Sequence, residues 1–311
     1  MERILITGGA GYIGSVLTPL LLKKKYKVTV VDNLLYSQNS LNDCCKYNNF
    51  DFVKGDIQNI NLIKSLLNNH DIIIPLAALV GAPLCSQNPK LTKQINYDAT
   101  KSLINCTSKN QIVIFPNTNS GYGIKKGDVY CDEKSPLNPI SAYGKYKVNI
   151  EKLLLKKNNS ICFRLATVFG VSPRMRTDLL VNDFVLRALQ DRYLVLFEEN
   201  FRRNFIHVRD VANTFLFAIN NFDIMKKNTF NVGLSSANLT KKELALKIKK
   251  ILPETYIHYS KIGKDPDKRD YLVSNMKLEK LGWKTHYSLD SGIRELIKCY
   301  SMLKENNLGN F

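Results

Sequence analysis

Short apolar runs rich in β-branched residues recur along the first half of the chain, each followed by a stretch whose apolar positions return every three or four residues. The runs are RILIT (3–7), KVTVVD (27–32), DFVKGD (51–56), DIIIPL (71–76), QIVIFP (111–116) and SICFRLA (160–166). Runs with little polar alternation suit strands buried on both faces, and the helical stretches between them supply the cover. Helices are predicted from Tyr12, over Leu62 to Leu67, through 88–108 and from about 141 to 156. The pattern predicts an α/β fold, a doubly wound parallel sheet with right-handed crossovers. Pro19 falls inside the first predicted helix, where it removes a hydrogen bond and is expected to kink it.

After about residue 167 the alternation becomes irregular. Helical patterns remain in LLVNDFVLRAL, LTKKELALKIKKIL and SLDSGIRELIKCY, with turn signals at Ser172-Pro173, Asp265-Pro266 and Gly282. Segment 205–232, FIHVRDVANTFLFAI followed by TFNVG, reads as one more helix and strand returning to the sheet. The expected division is a larger unit of residues 1–169 joined by 205–232, and a smaller, interleaved α/β unit of 170–204 and 233–311. No internal repeat is visible.

Composition narrows the class. The 311 residues are 44% hydrophobic, enough for a sizeable core, yet no apolar run approaches the roughly 18 residues of a membrane span. MERI leads directly into an apolar strand, so a cytoplasmic protein without a membrane role is expected. Seven scattered cysteines (Cys44, Cys45, Cys85, Cys106, Cys131, Cys162, Cys299) form no C-x-x-C pair. Neither disulfide framework nor metal site is signalled. The net charge of +18 resides largely in lysine runs such as Lys23-Lys24-Lys25, Lys125-Lys126 and Lys156-Lys157, read as solvated helix ends and turns. A small anionic substrate is the other use for that charge; no basic helix, zinc finger or aromatic RNA motif accompanies it, which argues against nucleic acid.

Candidate chemistry begins at TGGAGYIG (7–14), between the first strand and the first helix. Gly8, Gly11 and Gly14 allow a tight turn, backbone approach to a pyrophosphate and close helix packing, and a helix N-terminus favours the negative charge. Asp32 ends the second strand at the spacing expected for a carboxylate on a ribose 2′-hydroxyl, which favours NAD over NADP. Asp56 ends the third strand, where it could lie near the adenine. In SAYGKYK, Tyr143 and Lys147 stand four apart in a predicted helix and share a face. A free phenol ionises near pH 10; a lysine ammonium and an oxidised nicotinamide beside it would favour phenolate, letting Tyr143 accept a hydroxyl proton. The polar strand end PNTNSGYG (116–123), taken with this helix, suggests a site that handles a hydroxyl group.

TGGAGYIG, Asp32, GDI (55–57), LAA (76–78), Asn96 in NYDAT, Thr118, YGKYK, FRLATVFG and RRNFIHVRDVA together resemble the extended short-chain dehydrogenase/reductase family, specifically its sugar-nucleotide-modifying members. The resemblance implies a Rossmann NAD domain, a smaller nucleotide-sugar domain and a homodimer. It implies that Tyr12, Ile13, Asn33, Asp56, Ile57, Leu76, Ala77, Ala78 and Asn96 lie along the cofactor, that Thr118 holds the reacting hydroxyl, with Ser120 as the competing candidate, that Tyr143 is the base, and that Lys147 also holds the nicotinamide ribose. Asn119, Ser120, Thr167, Asn182, Arg203 and Arg269 fall on the substrate side, with Arg203, Asn182 and Arg269 at its diphosphate. The family often has Asn where Thr167 stands and Gly-Pro where Gly170-Val171 stands, so the local pocket shape differs.

The family's shared first step is oxidation at a pyranose carbon, most often C4. Its 4,6-dehydratases carry Asp-Glu directly after the Thr; here Asn119 and Ser120 occupy those positions, and neither carries a proton at neutral pH. Epimerisation at C3 or C5 would need further acid/base groups, for which Cys85, Cys106 and His207 are the nominees. A 4-dehydrogenase or a 4-epimerase remains; a non-catalytic dinucleotide sensor would lack the Tyr/Lys pair. DNLLYSQNSL, FRLATVFGVSPRMRTDLLVNDFV and DPDKRDYLVSN resemble a bacterial subgroup acting on GDP-linked heptoses of surface (capsular) polysaccharides. That implies GDP-D-glycero-D-manno-heptose as substrate. Release of the keto sugar would leave NADH, restored by NAD exchange or by a second carbonyl substrate such as a 2-oxo acid.

Overall fold

The computed structural model describes residues 2–37, 39–125, 127–262 and 269–303. The turn expected at Asp265-Pro266 and the lysine at 126 lie outside them. The first half runs β1 (Arg3–Thr7), α1 (Gly14–Lys23), β2 (Lys27–Asp32), β3 (Phe50–Lys54), α2 (Ile60–Leu67), β4 (Ile72–Pro75), α3 (Ala82–Gln87), α4 (Pro89–Lys93), α5 (Thr100–Cys106) and β5 (Ile112–Thr118). It continues with β6 (Tyr130–Cys131), α6 (Ala142–Leu154), β7 (Ser160–Leu165), β8 (Thr167–Phe169), α7 (Leu180–Gln190), β9 (Tyr193–Phe197) and β10 (Arg202–His207). Then come α8 (Val208–Asn220), α9 (Phe222–Met225), β11 (Asn228–Val232), β12 (Asn238–Thr240), α10 (Lys241–Ile251), β13 (Tyr256–Ser260), β14 (Leu272–Val273), α11 (Met276–Glu279) and α12 (Leu289–Tyr300).

Seven strands form one parallel sheet in the order β11-β7-β5-β4-β1-β2-β3. Because side chains alternate across a strand, the continuous apolar runs serve two cores at once. Ile4, Ile6, Val28, Val30, Ile72 and Ile74 pack under α1 and α8. Leu5, Val31, Ile73, Val113 and Phe115 face α2, α5 and α6 through Ile63, Leu103 and Ile150. A further core joins α7, α10 and α12 through Val181, Val185, Leu244, Ile248, Ile293 and Leu296.

Two expectations are corrected and one is met. The helix predicted through 88–108 is present as α4 and α5 with helical residues between them; Asn88-Pro89 separates it from α3, because the residue before a proline is pushed out of the helical region. Gln94–Ala99 then forms a π turn before α5. Residues 205–207, expected in a helix, belong to β10, which pairs with β8 and β12 in a separate three-stranded sheet. The first helix begins at Gly14 rather than Tyr12 and runs through Pro19. No helix among the described residues is long and apolar enough to cross a membrane.

Phe163 is fully buried on β7 and meets Phe215 of α8 edge-on, ring centroids 5.4 Å apart. Phe163→Ala is expected to cost about 3–5 kcal/mol by cavity formation, read from urea unfolding midpoints.

Candidate active site

The chain order reverses between β1 and β4, and at that switch point a cavity of about 490 Å³ opens at the carboxyl ends of the strands. Gly8, Gly11, Tyr12, Ile13, Gly14, Asp32, Asn33, Asp56, Ile57, Leu76, Ala77 and Ala78 all line it. Gly8 has φ +72°, and a Cβ there would lie 2.5 Å from the Ala77 nitrogen; a Cβ at Gly14 would lie 2.5 Å from Gly9 Cα. Only glycine lets the turn lie this close to both neighbours. Asp32 locks the turn: Oδ2 accepts from Ala10 N (3.0 Å) and Oδ1 from Leu34 N (2.8 Å). Burial raises its carboxyl above the usual range, while those donors and Arg174 pull the other way. Each carboxylate oxygen keeps a further lone pair for ribose hydroxyls, so the glycine cradle and Asp32 fit a dinucleotide. Asn33 Nδ2 donates to Asp56 Oδ2 (3.1 Å), joining the ends of β2 and β3.

At the other end of the cavity, Thr118 is the last residue of β5 and Tyr143 lies in the first turn of α6, whose start is capped by Ser141 Oγ accepting from Gly144 N (3.1 Å). Thr118, Ser120, Tyr143, Lys147, Thr167, Arg203 and Arg269 share the wall. Thr118 Oγ1 accepts from Ser120 N (3.1 Å) and lies 2.8 Å from Ser120 Oγ, which in turn accepts from Arg269 Nη1. The two hydroxyls, alternatives in the sequence, form one bonded pair. Lys147 Nζ donates to Pro116 O (2.9 Å) and stands 6.0 Å from the Tyr143 ring centroid. Burial pushes the Lys147 ammonium down to about 8. Burial likewise drives the Tyr143 phenol well above its ordinary value, with Cys85 adding to the rise and Arg269 and Arg176 opposing it. In the protein alone, then, desolvation outweighs the phenolate-favouring effect expected of Lys147.

Three asparagines expected along the cofactor or on the substrate side do not line the cavity. Asn96 is buried behind the wall, its amide bonded to both the N–H and the C=O of Leu79 (2.8 Å each), so it shapes the Leu76–Leu79 stretch. Asn182 is fully buried: Oδ1 accepts from Gly170 N (3.0 Å) and Nδ2 donates to Arg176 O (2.8 Å), which spends the amide on the loop after β8. Asn119 is buried at 1% exposure and is not on the wall. The nominees for a second acid/base are off the wall too. His207 is fully buried against Glu295 (3.1 Å), Cys85 Sγ donates to Leu79 O (3.4 Å), and Cys106 ends α5.

The loop after β8 contributes residues that sequence reasoning missed. Arg174 stacks on Tyr36, guanidinium carbon 4.0 Å from the ring centroid. Arg176 pairs with Asp178, Nε to Oδ1 3.1 Å, and all four residues line the cavity. The available signal was SPRMR, two arginines in a turn segment directly after an apolar strand.

A family model described as "NAD dependent epimerase/dehydratase family" matches residues 4–233. A putative UDP-glucose 4-epimerase of Methanocaldococcus jannaschii is 27% identical over 322 residues, covering 98% of this chain and 99% of that protein. A trifunctional UDP-glucose 4,6-dehydratase/3,5-epimerase/reductase of Arabidopsis thaliana is 28% identical; 96% of this chain matches, spanning only 47% of that protein. Among solved structures, UDP-glucose 4-epimerase of Thermotoga maritima with UDP-glucose has TM-score 0.84 at 25% identity, covering 96% of this chain and 98% of that one. dTDP-glucose 4,6-dehydratase of Bacillus anthracis in complex with NAD has TM-score 0.84 at 24% identity, covering 98% of both chains.

The buried ammonium makes a pH-dependent contribution. Between the folded value of about 8 and the ordinary 10.5, the unfolded chain binds more protons at Lys147, so stability rises with pH across that window. Below it both states are protonated and the burial penalty, about 3 kcal/mol at roughly 1.4 kcal/mol per pH unit, is fully present. Lys147→Met is therefore expected to remove this slope: its stability relative to wild type falls between about pH 7.5 and pH 10, as measured by urea unfolding.

Proposed function

This chain belongs to the NAD dependent epimerase/dehydratase family and its cofactor is NAD, and from that premise we propose that it oxidises the C4 hydroxyl of a nucleotide sugar to the 4-keto sugar. The observation that carries the reading is the bonded pair of hydroxyls, Thr118 and Ser120, sharing one cavity with Tyr143 and Lys147. Gly8, Gly11, Gly14 and Asp32 would hold the dinucleotide, with Leu76, Ala77 and Ala78 along it and Lys147 at the nicotinamide ribose. When bound, the oxidised nicotinamide supplies the hydride acceptor and a positive charge. Thr118 orients the sugar hydroxyl, and Tyr143 takes its proton as the C4 hydrogen leaves with its electron pair. Arg203 and Arg269 provide charge for the sugar's diphosphate. Residues 170–204 and 233–311 would form the nucleotide-sugar side.

Two features favour a reaction that stops at oxidation or reverses it. Ser120 stands where the family's 4,6-dehydratases carry a carboxyl group, and its hydroxyl is held by Arg269. Asp178 and Asp183 do line the cavity, but each is bonded to an arginine, Arg176 and Arg187 respectively. The resemblance of DNLLYSQNSL and DPDKRDYLVSN to heptose-modifying enzymes supports GDP-D-glycero-D-manno-heptose as the substrate, for surface polysaccharide synthesis. The full-length match to an archaeal putative 4-epimerase supports a second reading, in which the keto sugar is turned and reduced again.

The test is incubation of the protein with GDP-, UDP- and dTDP-linked hexoses and heptoses, with and without a 2-oxo acid, and identification of products by NMR. A 4-keto sugar is expected, formed best from the GDP-heptose. A C4 epimer without net oxidation would replace the dehydrogenase reading by the epimerase one. Tyr143→Phe is expected to lower the oxidation rate by about 10²–10⁴-fold, the usual worth of a positioned proton acceptor, and Thr118→Val by about 10–100-fold, the worth of one hydrogen bond at the reacting oxygen.

A further inference from the structure

A buried polar network that this chemistry does not use reaches the cavity wall at Asn117 and continues behind it. Glu151 is 2% exposed and follows Tyr143 and Lys147 along α6 at successive intervals of four residues. Each interval turns about 40° around the helix, so the three share a face over about 12 Å of axis. Glu151 Oε1 accepts from Arg164 Nη2 (2.6 Å) and Oε2 from Arg164 Nε (3.2 Å), a two-point ion pair. Asn117 Nδ2 donates to the same Oε2. Asn117 and Arg164 are register partners across β5 and β7. Asn117 Oδ1 accepts from Thr118 N (2.8 Å), and Arg164 Nη1 donates to Tyr122 OH (2.9 Å), at the end of the turn that carries Ser120.

We propose that the Glu151–Arg164 pair, with Asn117, is the positioning element that sets the Tyr143 phenol at its distance from the Thr118 and Ser120 hydroxyls. This rests on the roles given to Tyr143 and Thr118 above. Glu151 and Arg164 do not line the cavity, so they act through other residues. One carboxylate fastens the helix that carries the proton acceptor to both strands and to the turn that carry the hydroxyls. A slip of α6 by one residue, about 1.5 Å along its axis, would break the fork and the Asn117 bond together. Apolar packing would tolerate part of such a slip; a planar fork does not. Buried ion pairs contribute little net stability against apolar replacements of similar size, so register is the more demanding use for this one. Register also matters most here, because proton transfer needs heavy atoms about 2.6–3.2 Å apart and a 1 Å displacement can cost about 100-fold in rate.

Two variants separate positioning from folding. Glu151→Gln keeps the shape and loses the charge; the double variant Glu151→Met/Arg164→Met replaces the pair by apolar groups and is expected to fold with an unfolding midpoint near wild type. With the NAD-loaded proteins and the nucleotide sugar that wild type oxidises fastest, both are expected to lose about 30–100-fold in kcat, the scale of an ångström of misplacement, with KM within about threefold. A folded double variant with wild-type kcat, or a loss confined to KM, overturns the proposal. A second readout needs no sugar: the titration of the Tyr143 phenol, taken as the absorbance difference between each NAD-loaded protein and its Tyr143→Phe counterpart. Its midpoint is expected to move by about one pH unit or more in the double variant, and an unmoved midpoint overturns the proposal. Should wild type oxidise no sugar of the panel, the proposed function fails while the phenol titration still decides this inference.

Discussion

Six consecutive parallel pairings between β5 and β7, from Val113–Ser160 to Thr118–Leu165, hold the strand end that carries the hydroxyls beside the strand from which the chain departs for its second sheet. Much else follows from that register. It sets Asn117 opposite Arg164, so that a single carboxylate on α6 can bond to both. Two residues beyond the last pairing begins β8, which pairs with β10 instead of the large sheet. The loop after β8 thereby returns to the cavity with Arg174 and Arg176, while β10 brings Arg203. A shift of one residue would turn each side chain on β5 to the opposite face, exchanging Thr118 with a neighbour that has no hydroxyl.

The reaction centre is governed by burial more than by local pairs of charges. Tyr143 and Lys147 are both pushed toward their neutral forms, the phenol upward and the ammonium downward. Lys147 gives one of its hydrogen bonds to Pro116 O instead of to the phenol. The positive groups that offset burial at Tyr143 come from distant segments, Arg269 and Arg176. In a dry site such longer-range fields retain strength that water would screen. Under the proposed role of Tyr143, phenolate would therefore depend on the assembled cavity and on a bound cofactor, not on the Tyr/Lys spacing alone.

The large sheet was legible because its central strands are buried on both faces and so read as nearly unbroken apolar runs, while the exposed edge strand β3 was found from its flanking turns. The glycine turn was legible because close backbone approach leaves few alternatives to glycine at Gly8 and Gly14. The asparagines were not. An amide serves a ligand and a buried backbone equally well, and Asn96 and Asn182 are spent on Leu79 and on Gly170 with Arg176. Residues 205–207 were misread because the first half of the six-residue β10, Arg202 to Asn204, is polar, and the apolar remainder runs straight into α8, too short to separate the two periods. Arg174 and Arg176 were overlooked because a turn segment has no period at all, and only the tertiary fold brings it across to Tyr36.

That loop is also bonded to the glycine turn by groups no motif would select. Tyr12 OH donates to Gly170 O (2.6 Å), Ser172 Oγ donates to Tyr12 O (2.7 Å), and Ser15 Oγ lies 2.9 Å from Ser172 Oγ. All of these groups are buried, so each bond withheld would leave a desolvated polar atom. The cofactor turn and the arginine loop are thus held together by the protein's own atoms. An anionic ligand then meets guanidinium groups already gathered around the cavity, and less of its binding energy goes to collecting them. Tyr12 thereby joins the two segments twice over: its backbone follows Gly11 in the glycine turn, and its hydroxyl fixes the loop that carries Arg174 and Arg176.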